Sequence, residues 1–258
     1  MQIKLSAVVI TFNEERNIAR CLDSLQSVAD EILVVDSFSS DATKQICIEK
    51  GARFIENAFG GHIEQKNFAK EQAQYDHVLS LDADEALDEE LQTNILKIKE
   101  NWEHDAYKMN RLTNYCGSWV HHSGWYPDTK IRLFDRRKGE WGGDNPHDKF
   151  IPHKGVEVKW ISGDILHYSF YDRAGHLQQI EKFSSIAARA LHKRGKRSNI
   201  IKRWINPAAR FIKAYFLRLG FLDGKAGFDI ARFSAYANWL KYRKLQELHS
   251  VNHEQSNS

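Results

Sequence analysis

Apolar residues along the first hundred positions come in short runs separated by stretches of helical period. "IKLSAVVITF" is a β-branched run of strand length, and "NEERNIARCLDSLQSV" follows with Ile18, Cys21, Leu22 and Leu25 at three- and four-residue spacing. Glu14 and Glu15 are expected in the first turn of that helix, where acids suit its dipole. The alternation repeats. "EILVVD" predicts a strand, "SSDATKQICIEKG" a helix closed by Gly51, "ARFIEN" a strand, "GGHIEQKNFAKEQAQ" a helix, "HVLSLDAD" a strand and "DEELQTNILKIKENW" a helix. Such alternation builds a parallel sheet covered by helices on both faces, with ligands held at the carboxyl ends of the strands. Thr11, Asn13, Asp36, Asp82 and Asp84 all fall at predicted strand ends.

The rhythm changes after residue 103. Trp, Tyr, Gly and His crowd residues 107–126, "TKIRLFDRRKGEW" predicts an antiparallel strand and turn, and "GVEVKWISGDILHYSF" another strand or pair. From Asp172 the pattern is helical to about Arg194, and basic, aromatic helices follow to about Leu248, interrupted at "GFLDGKAG". "HSVNHEQSNS" reads as a frayed tail.

Composition narrows the class. With 258 residues, 42% of them hydrophobic, the chain can bury a substantial core, and it has no low-complexity tract. Cys21, Cys47 and Cys116 lie far apart and are odd in number, which points to a reducing compartment and away from a disulfide framework or structural zinc. The first residues show no signal-peptide pattern, and no apolar stretch approaches the ~20 residues that span a bilayer, so a cytoplasmic location is expected. The whole chain carries a net charge of +3, yet residues 182–222 hold eleven Lys or Arg and no acid, leaving −8 for the remainder. That segment calls for an anionic partner.

The chemistry sits in "LSLDADEAL". Asp82, Asp84 and Glu85 crowd the end of an apolar strand, where like charges repel and resist desolvation. Something positive belongs there. Asp82 and Asp84, one residue apart at a strand end, share a face and suit a hard cation, Mg2+ or Mn2+, that keeps positions open for phosphate oxygens. The plainer alternative is that the acids cap the next helix. The first strand turn, "TFNEER", has no GxGxxG and the chain has no P-loop, which excludes an NAD enzyme and a Walker-type ATPase.

Three segments together resemble family 2 glycosyltransferases of GT-A fold: "LSAVVITFNEERNIARCLDSL", "EILVVDSFSSDAT" and the DxD-containing "LSLDADE". "NPAARFIKAYFLRL" with "GFLDGKAGF" is similar to the lipopolysaccharide core β-1,4-glucosyltransferase subgroup. The resemblance implies an α/β fold, a GT-A (Rossmann-like) mixed sheet flanked by helices, with a helical, basic, amphipathic C-terminal extension. It places a catalytic domain at 1–172, divided into a nucleotide-sugar half (1–102) and an acceptor half (103–172), an extension at 173–248 and a disordered tail at 249–258. It implies that Thr11, Asn13 and Glu14 line the nucleotide pocket and that Asp36 holds base or ribose. Lys66 would lie near base and phosphates, Asp82 would contact ribose or metal, and Asp84 the metal. A divalent cation would steady the charge that builds on the leaving nucleoside diphosphate.

An inverting transfer also needs a base for the acceptor hydroxyl. "GGDNPHDKF" offers Asp144, His147 and Asp148, and the subgroup carries a His–acid pair there. His167, ending an apolar strand, is either a packed core residue or a further metal ligand. His121 and His122, with Trp119, Trp125 and Tyr126, either shape a sugar pocket or pack in the core. Over 202–219, Trp204, Ile205, Ala208, Phe211, Ile212, Tyr215, Phe216 and Leu219 recur at helical spacing between cations. This fits a helix in an anionic membrane interface, or one packed on the core, and its regular apolar stripe disfavours nucleic acid.

The expected function is transfer of a sugar, glucose by the resemblance, from a UDP-linked donor to a lipopolysaccharide core or related lipid-linked glycan. The work would be done at the cytoplasmic membrane face by a peripheral protein. The alternatives are a transferase for another envelope glycan or lipid carrier, or a non-catalytic nucleotide-sugar-binding membrane scaffold.

Overall fold

β1 (Leu5–Thr11) is buried along its whole length, and parallel neighbours on both sides are the reason. A strand covered on both edges and both faces has no polar side, which is why its sequence reads as one apolar run. In this computed structural model, which describes residues 2–145 and 147–255 and only the backbone at His147 and 251–255, α1 (Ile18–Leu25) returns the chain to β2 (Glu31–Asp36). Then follow α2 (Thr43–Glu49), β3 (Arg53–Glu56), α3 (His62–Gln72) and β4 (His77–Asp82). The registers pair Thr11 with Asp36 and Ile10 with Asp82, so the three strand ends lie on one edge.

Beyond β4 come β5 (Glu85–Leu87), α4 (Glu89–Glu100), β6 (Ala106–Tyr115), β7 (Ser118–Val120) and β8 (Asp128–Asp135). β9 (Gly139–Asp144) and β10 (His147–Pro152) form a separate antiparallel hairpin, and β11 (Val158–Phe170) returns to the main sheet. The strand order β3-β2-β1-β4-β8-β6-β11-β5, with β7 on β6, is parallel through β4 and antiparallel where β4 meets β8, β8 meets β6, and β11 meets β5. The result is the mixed sheet flanked by helices that the sequence predicts.

The chain divides into two compact units, residues 1–112 with 127–168, and residues 113–126 with 169–258. The first has two apolar layers. Ile18, Leu22, Leu91 and Ile95 of the helices pack on Val9, Leu79 and Met109, while Val8, Leu33, Val78 and Phe134 meet Trp141 and Phe150. α1 begins later than expected. Its first turn holds no acid, and the Glu14 carbonyl instead accepts from the amides of Asn17 and Ile18.

The second unit contains α5 (Arg173–Lys193), α6 (Asn206–Ile212) and α7 (Gly224–Gln255) around Tyr115, Ile180, Ile230, Phe233 and Leu240. It also takes residues 113–126, because Asp223 accepts from the amides of His121 and His122 at 3.2 and 2.9 Å. A Cβ on Gly227 would lie 1.8 Å from the Gly220 carbonyl oxygen, so "GFLDGKAGF" needs glycine for this close approach. π turns at Ile201–Ile205 and Lys213–Leu217 break the 3.6-residue period. Over 202–219, Phe211 and Tyr215 are half-buried while Trp204, Ile205, Ile212, Phe216 and Leu219 are exposed. The backbone of α7 reaches Gln255, and residues 256–258 of the expected tail lie outside the described residues.

Candidate active site

The loops after β1 and β2 are stitched together. Asn13 adopts a left-handed backbone, φ 53°, which Asn tolerates better than most residues. Its amide donates to Ser39 Oγ at 2.7 Å, and its side-chain oxygen accepts from the Ser40 amide at 2.8 Å. Asp36, buried, accepts from the Ser39 amide at 2.7 Å and from the Ser39 hydroxyl. Thr11 is buried, its hydroxyl has no hydrogen-bond partner among the described residues, and its carbonyl accepts from the Ser37 amide at 3.0 Å. Thr11, Asn13 and Asp36 thus build one rim at the ends of β1 and β2. Phe12 and Phe38, 57% and 58% exposed, stand on the same two loops and were not singled out in the sequence.

The two aspartates of "DAD" do different work. Asp82 Oδ1 lies 2.9 Å from Lys66 Nζ, and Asp82 Oδ2 lies 3.0 Å from Arg132 Nη2. Arg132 also meets Glu85 Oε1 at 3.0 Å, and Arg111 meets the same oxygen at 3.2 Å. Burial alone would raise the Asp82 carboxyl, but Lys66 and Arg132 hold it well below the usual carboxylate range. Burial likewise opposes the charge on Arg132, and Glu85 and Asp82 outweigh it, raising the guanidinium. The positive charge that the clustered acids demand is therefore supplied to Asp82 and Glu85 by protein cations. Arg132 was missed because it lies on β8, fifty residues away, where nothing local marks it.

Asp84 turns elsewhere. Its Oδ2 lies 3.2 Å from His167 Nε2, and its carbonyl accepts from the Tyr168 amide at 2.9 Å. β5, too short to be read in the sequence, causes this by pairing Glu85 with His167 across to β11. The two carboxylates that the sequence groups at one cation site have different partners here, Lys66 and Arg132 for Asp82 and His167 for Asp84. The helix-cap alternative fails, because Asp88 caps α4 by accepting from the Leu91 amide at 2.7 Å. Glu14 belongs to the Asp84 pole. Burial raises its carboxyl, a hydrogen bond from Asn17 opposes this, and the charge of Asp84 adds to the rise while that of His167 counters it.

The β9–β10 hairpin is fastened to α3. Asn67 Nδ2 donates to the Trp141 carbonyl and Asn67 Oδ1 accepts from the Trp141 amide, both at 2.9 Å. Asn145 accepts from the Ile63 amide at 3.0 Å and donates to Glu64 Oε2 at 2.9 Å. Gly61, φ 144°, leaves room for this, since a Cβ there would lie 2.4 Å from Asn145 Nδ2. The hairpin thus delivers Asp148 to Lys66, with Asp148 Oδ2 2.7 Å from Nζ and the ammonium 4.7 Å from the centre of the Trp141 ring. Asp144 is exposed and apart from this contact. The side chain of His147, the third candidate, lies outside the described residues.

Asp84 and His167 fit a divalent cation. Their 3.2 Å separation matches the roughly 3 Å between adjacent ligands of an octahedral ion with metal–oxygen bonds of about 2.1 Å. Among the described residues, no three His, Cys, Asp or Glu side chains gather as a metal site. His122, whose Nδ1 meets Asp223 Oδ1 at 2.8 Å, and Trp125, which packs on Tyr115 and Phe170, belong to the helical unit. Packing is thus the role seen for Trp125.

The sequence model described as glycosyl transferase family 2 matches residues 6–161. An uncharacterized glycosyltransferase of Rickettsia typhi is 32% identical over 255 residues, covering 95% of this chain and 87% of the relative. The lipopolysaccharide core biosynthesis glycosyltransferase LpsC of Rhizobium meliloti is 28% identical, covering 97% and 94%. Among solved structures, the mannosyltransferase PcManGT from Pyrobaculum calidifontis, in complex with GDP-Man and Mn2+, matches 96% of this chain and 88% of its own with a TM-score of 0.55. At 15% identity that likeness concerns the fold, and it agrees with the GT-A arrangement of the mixed sheet.

Proposed function

The chain belongs to glycosyl transferase family 2, and on that premise we propose that it is an inverting, metal-dependent transferase moving glucose from a UDP-linked donor to a lipopolysaccharide core or related lipid-linked glycan. The observation that carries the reading is the split between the two aspartates. Asp82 is neutralised by Lys66 and Arg132, while Asp84 faces the His167 imidazole and shares its pole with Glu14. A negative pole of this kind at the strand ends suits an Mg2+ or Mn2+ ion that arrives with a diphosphate. Asp84 and His167 would hold it, and when bound it would supply Lewis-acid stabilisation of the departing nucleoside diphosphate.

The chain's own residues do the rest. The rim of Thr11, Asn13 and Asp36 receives the nucleoside, and Phe12 and Phe38 offer ring faces to the base. Lys66, held between Asp82 and Asp148, sets the reach of the base and lies near the phosphates. Asp148 accepts the proton of the acceptor hydroxyl as that oxygen attacks the anomeric carbon opposite the leaving group, which inverts the configuration. Residues 1–102 serve as the nucleotide-sugar half, 103–172 as the acceptor half and 173–248 as the membrane-associating extension, at the cytoplasmic face. The kinship with LpsC supports the acceptor class.

A screen of UDP- and GDP-sugars with Mn2+ and lipid-linked core glycans tests this. The expected result is transfer from UDP-glucose with inversion at the anomeric carbon. Retention of configuration, or transfer from no nucleotide sugar at all, would contradict the reading.

A further inference from the structure

The helical unit carries a surface that the transfer chemistry does not use. Phe211, Tyr215, Phe216, Phe221 and Phe228 form one cluster of touching rings, with Phe211–Tyr215 at 5.5 Å, Tyr215–Phe216 at 5.1 Å, Tyr215–Phe221 at 6.3 Å and Phe211–Phe228 at 5.9 Å between centroids. Phe211 and Tyr215 are half-buried and anchor the cluster, whereas Phe216 and Phe221 are 54% and 45% exposed. Leu217, 74% exposed, and the exposed Leu219 and Leu222 extend the apolar area along the same turn. A contiguous exposed apolar patch of this kind marks an interaction site.

The charge of the segment says what kind. Arg210, Lys213 and Arg218 neighbour the ring-bearing residues along the chain, and residues 182–222 carry eleven Lys or Arg and no acid. A second copy of this chain would bring the same positive charge against itself, so self-association through this face is opposed. Nucleic acid would use the cations and leave the rings and leucines in water. An anionic phospholipid surface uses both. Cations meet the headgroups, and aromatic and leucine side chains enter the boundary beneath them. Among the described residues, no helix is long and apolar enough to cross a membrane, which matches a surface that rests on one.

We infer that this aromatic platform, with Phe216, Leu217 and Phe221 at its tip, docks the protein on an anionic bilayer. The tip forms because the π turn Lys213–Leu217 and the left-handed Leu219, φ 54°, turn the chain outward between α6 and α7. The inference rests on the proposed function only for its lipid-anchored acceptor, and it stands or falls separately from the donor chemistry.

Co-sedimentation of the full chain with vesicles tests it. The protein should pellet with phosphatidylglycerol-containing vesicles, much less with phosphatidylcholine alone, and less as salt rises. Phe216→Ser with Phe221→Ser should lower binding at least tenfold at every salt concentration, and Leu217→Asp alone, a change at an exposed position, should lower it in the same direction. Arg210→Gln with Lys213→Gln should flatten the salt dependence. Soluble nucleotide-sugar binding should be unchanged in all of them. Absence of pelleting with anionic vesicles at low salt would overturn the inference, as would Leu217→Asp and the Ser variant pelleting like the parent. A concentration-dependent dimer that the same variants abolish would reassign the surface to self-association.

Discussion

Lys66 Nζ lies 2.7 Å from Asp148 Oδ2, at the centre of a chain of charges that runs from Asp148 through Lys66 to Asp82 and on to Arg132 and Glu85. The ammonium is almost wholly enclosed. Removing one member of a buried pair costs about 3–5 kcal/mol, because the partner charge stays behind. Lys66→Met should therefore lower the melting temperature clearly and abolish turnover. Lys66→Arg, which keeps the charge, should recover most of the stability and little of the activity, since a planar fork cannot reproduce a point charge between two carboxylates. Full activity in Lys66→Met would remove Lys66 from the site.

Asp148→Asn keeps the shape and a polar contact to Lys66 but cannot take a proton. Turnover, read as nucleoside diphosphate released in the presence of acceptor, should fall by about 10²–10⁴-fold, with donor affinity little changed. Asp144→Asn should turn over like the parent, because Asp144 is exposed and away from the Lys66 contact. The reverse pattern would transfer the role of base to Asp144.

Phe12 and Phe38 stand exposed on the loops that follow β1 and β2. Stacking of a base on an aromatic ring is worth about 1–3 kcal/mol. Phe12→Ala and Phe38→Ala should each weaken UDP binding by roughly fivefold or more on that scale, leaving melting temperature unchanged because neither ring is packed. Calorimetric titration with UDP measures this, and unchanged affinity in both variants would place the base elsewhere.

His176 supplies a pH dependence of stability. It is buried in the helical unit, 3.0 Å from the Tyr115 hydroxyl, and burial lowers its pKa to about 4, with a smaller opposing effect from Asp229. The unfolded chain has a histidine pKa near ~6.5. The folded state thus binds the proton less readily, so stability is full above pH ~6.5 and is lost as pH falls from there toward 4. Thermal unfolding should show this loss. His176→Phe, which forfeits the Tyr115 hydrogen bond, should be less stable at pH 7.5 and lose less between pH 7 and 5. Parallel curves for the two proteins would contradict the assignment.

The parallel half of the sheet was legible because each of its strands is a single apolar run followed by a helix with its own period. The acids of "LSLDADEAL" were legible as a demand for positive charge. What answers them was not: Lys66 and Arg132 come from α3 and β8, and only the antiparallel return of β8 beside β4 brings Arg132 to Asp82. The separate paths of Asp82 and Asp84 depend on β5, three residues that pair with β11 and leave no pattern of their own. The membership of residues 113–126 in the helical unit rests on Asp223 reaching His121 and His122 across a hundred positions, which no local spacing encodes. The stripe over 202–219 was read at 3.6 residues per turn, and the two π turns within it leave no local signal in the sequence.

The central claim is that Asp84 and His167 hold a divalent cation together with the donor's diphosphate. Calorimetric titration of UDP into the intact protein, with Mn2+ and again with EDTA, tests it most directly, with Asp84→Ala and His167→Ala run alongside. Chelation should weaken UDP binding at least tenfold, both variants should bind as weakly in Mn2+ as the parent does in EDTA, and melting temperatures without ligand should stay close to the parent's. UDP binding of equal strength with and without metal, undiminished in Asp84→Ala, would contradict it.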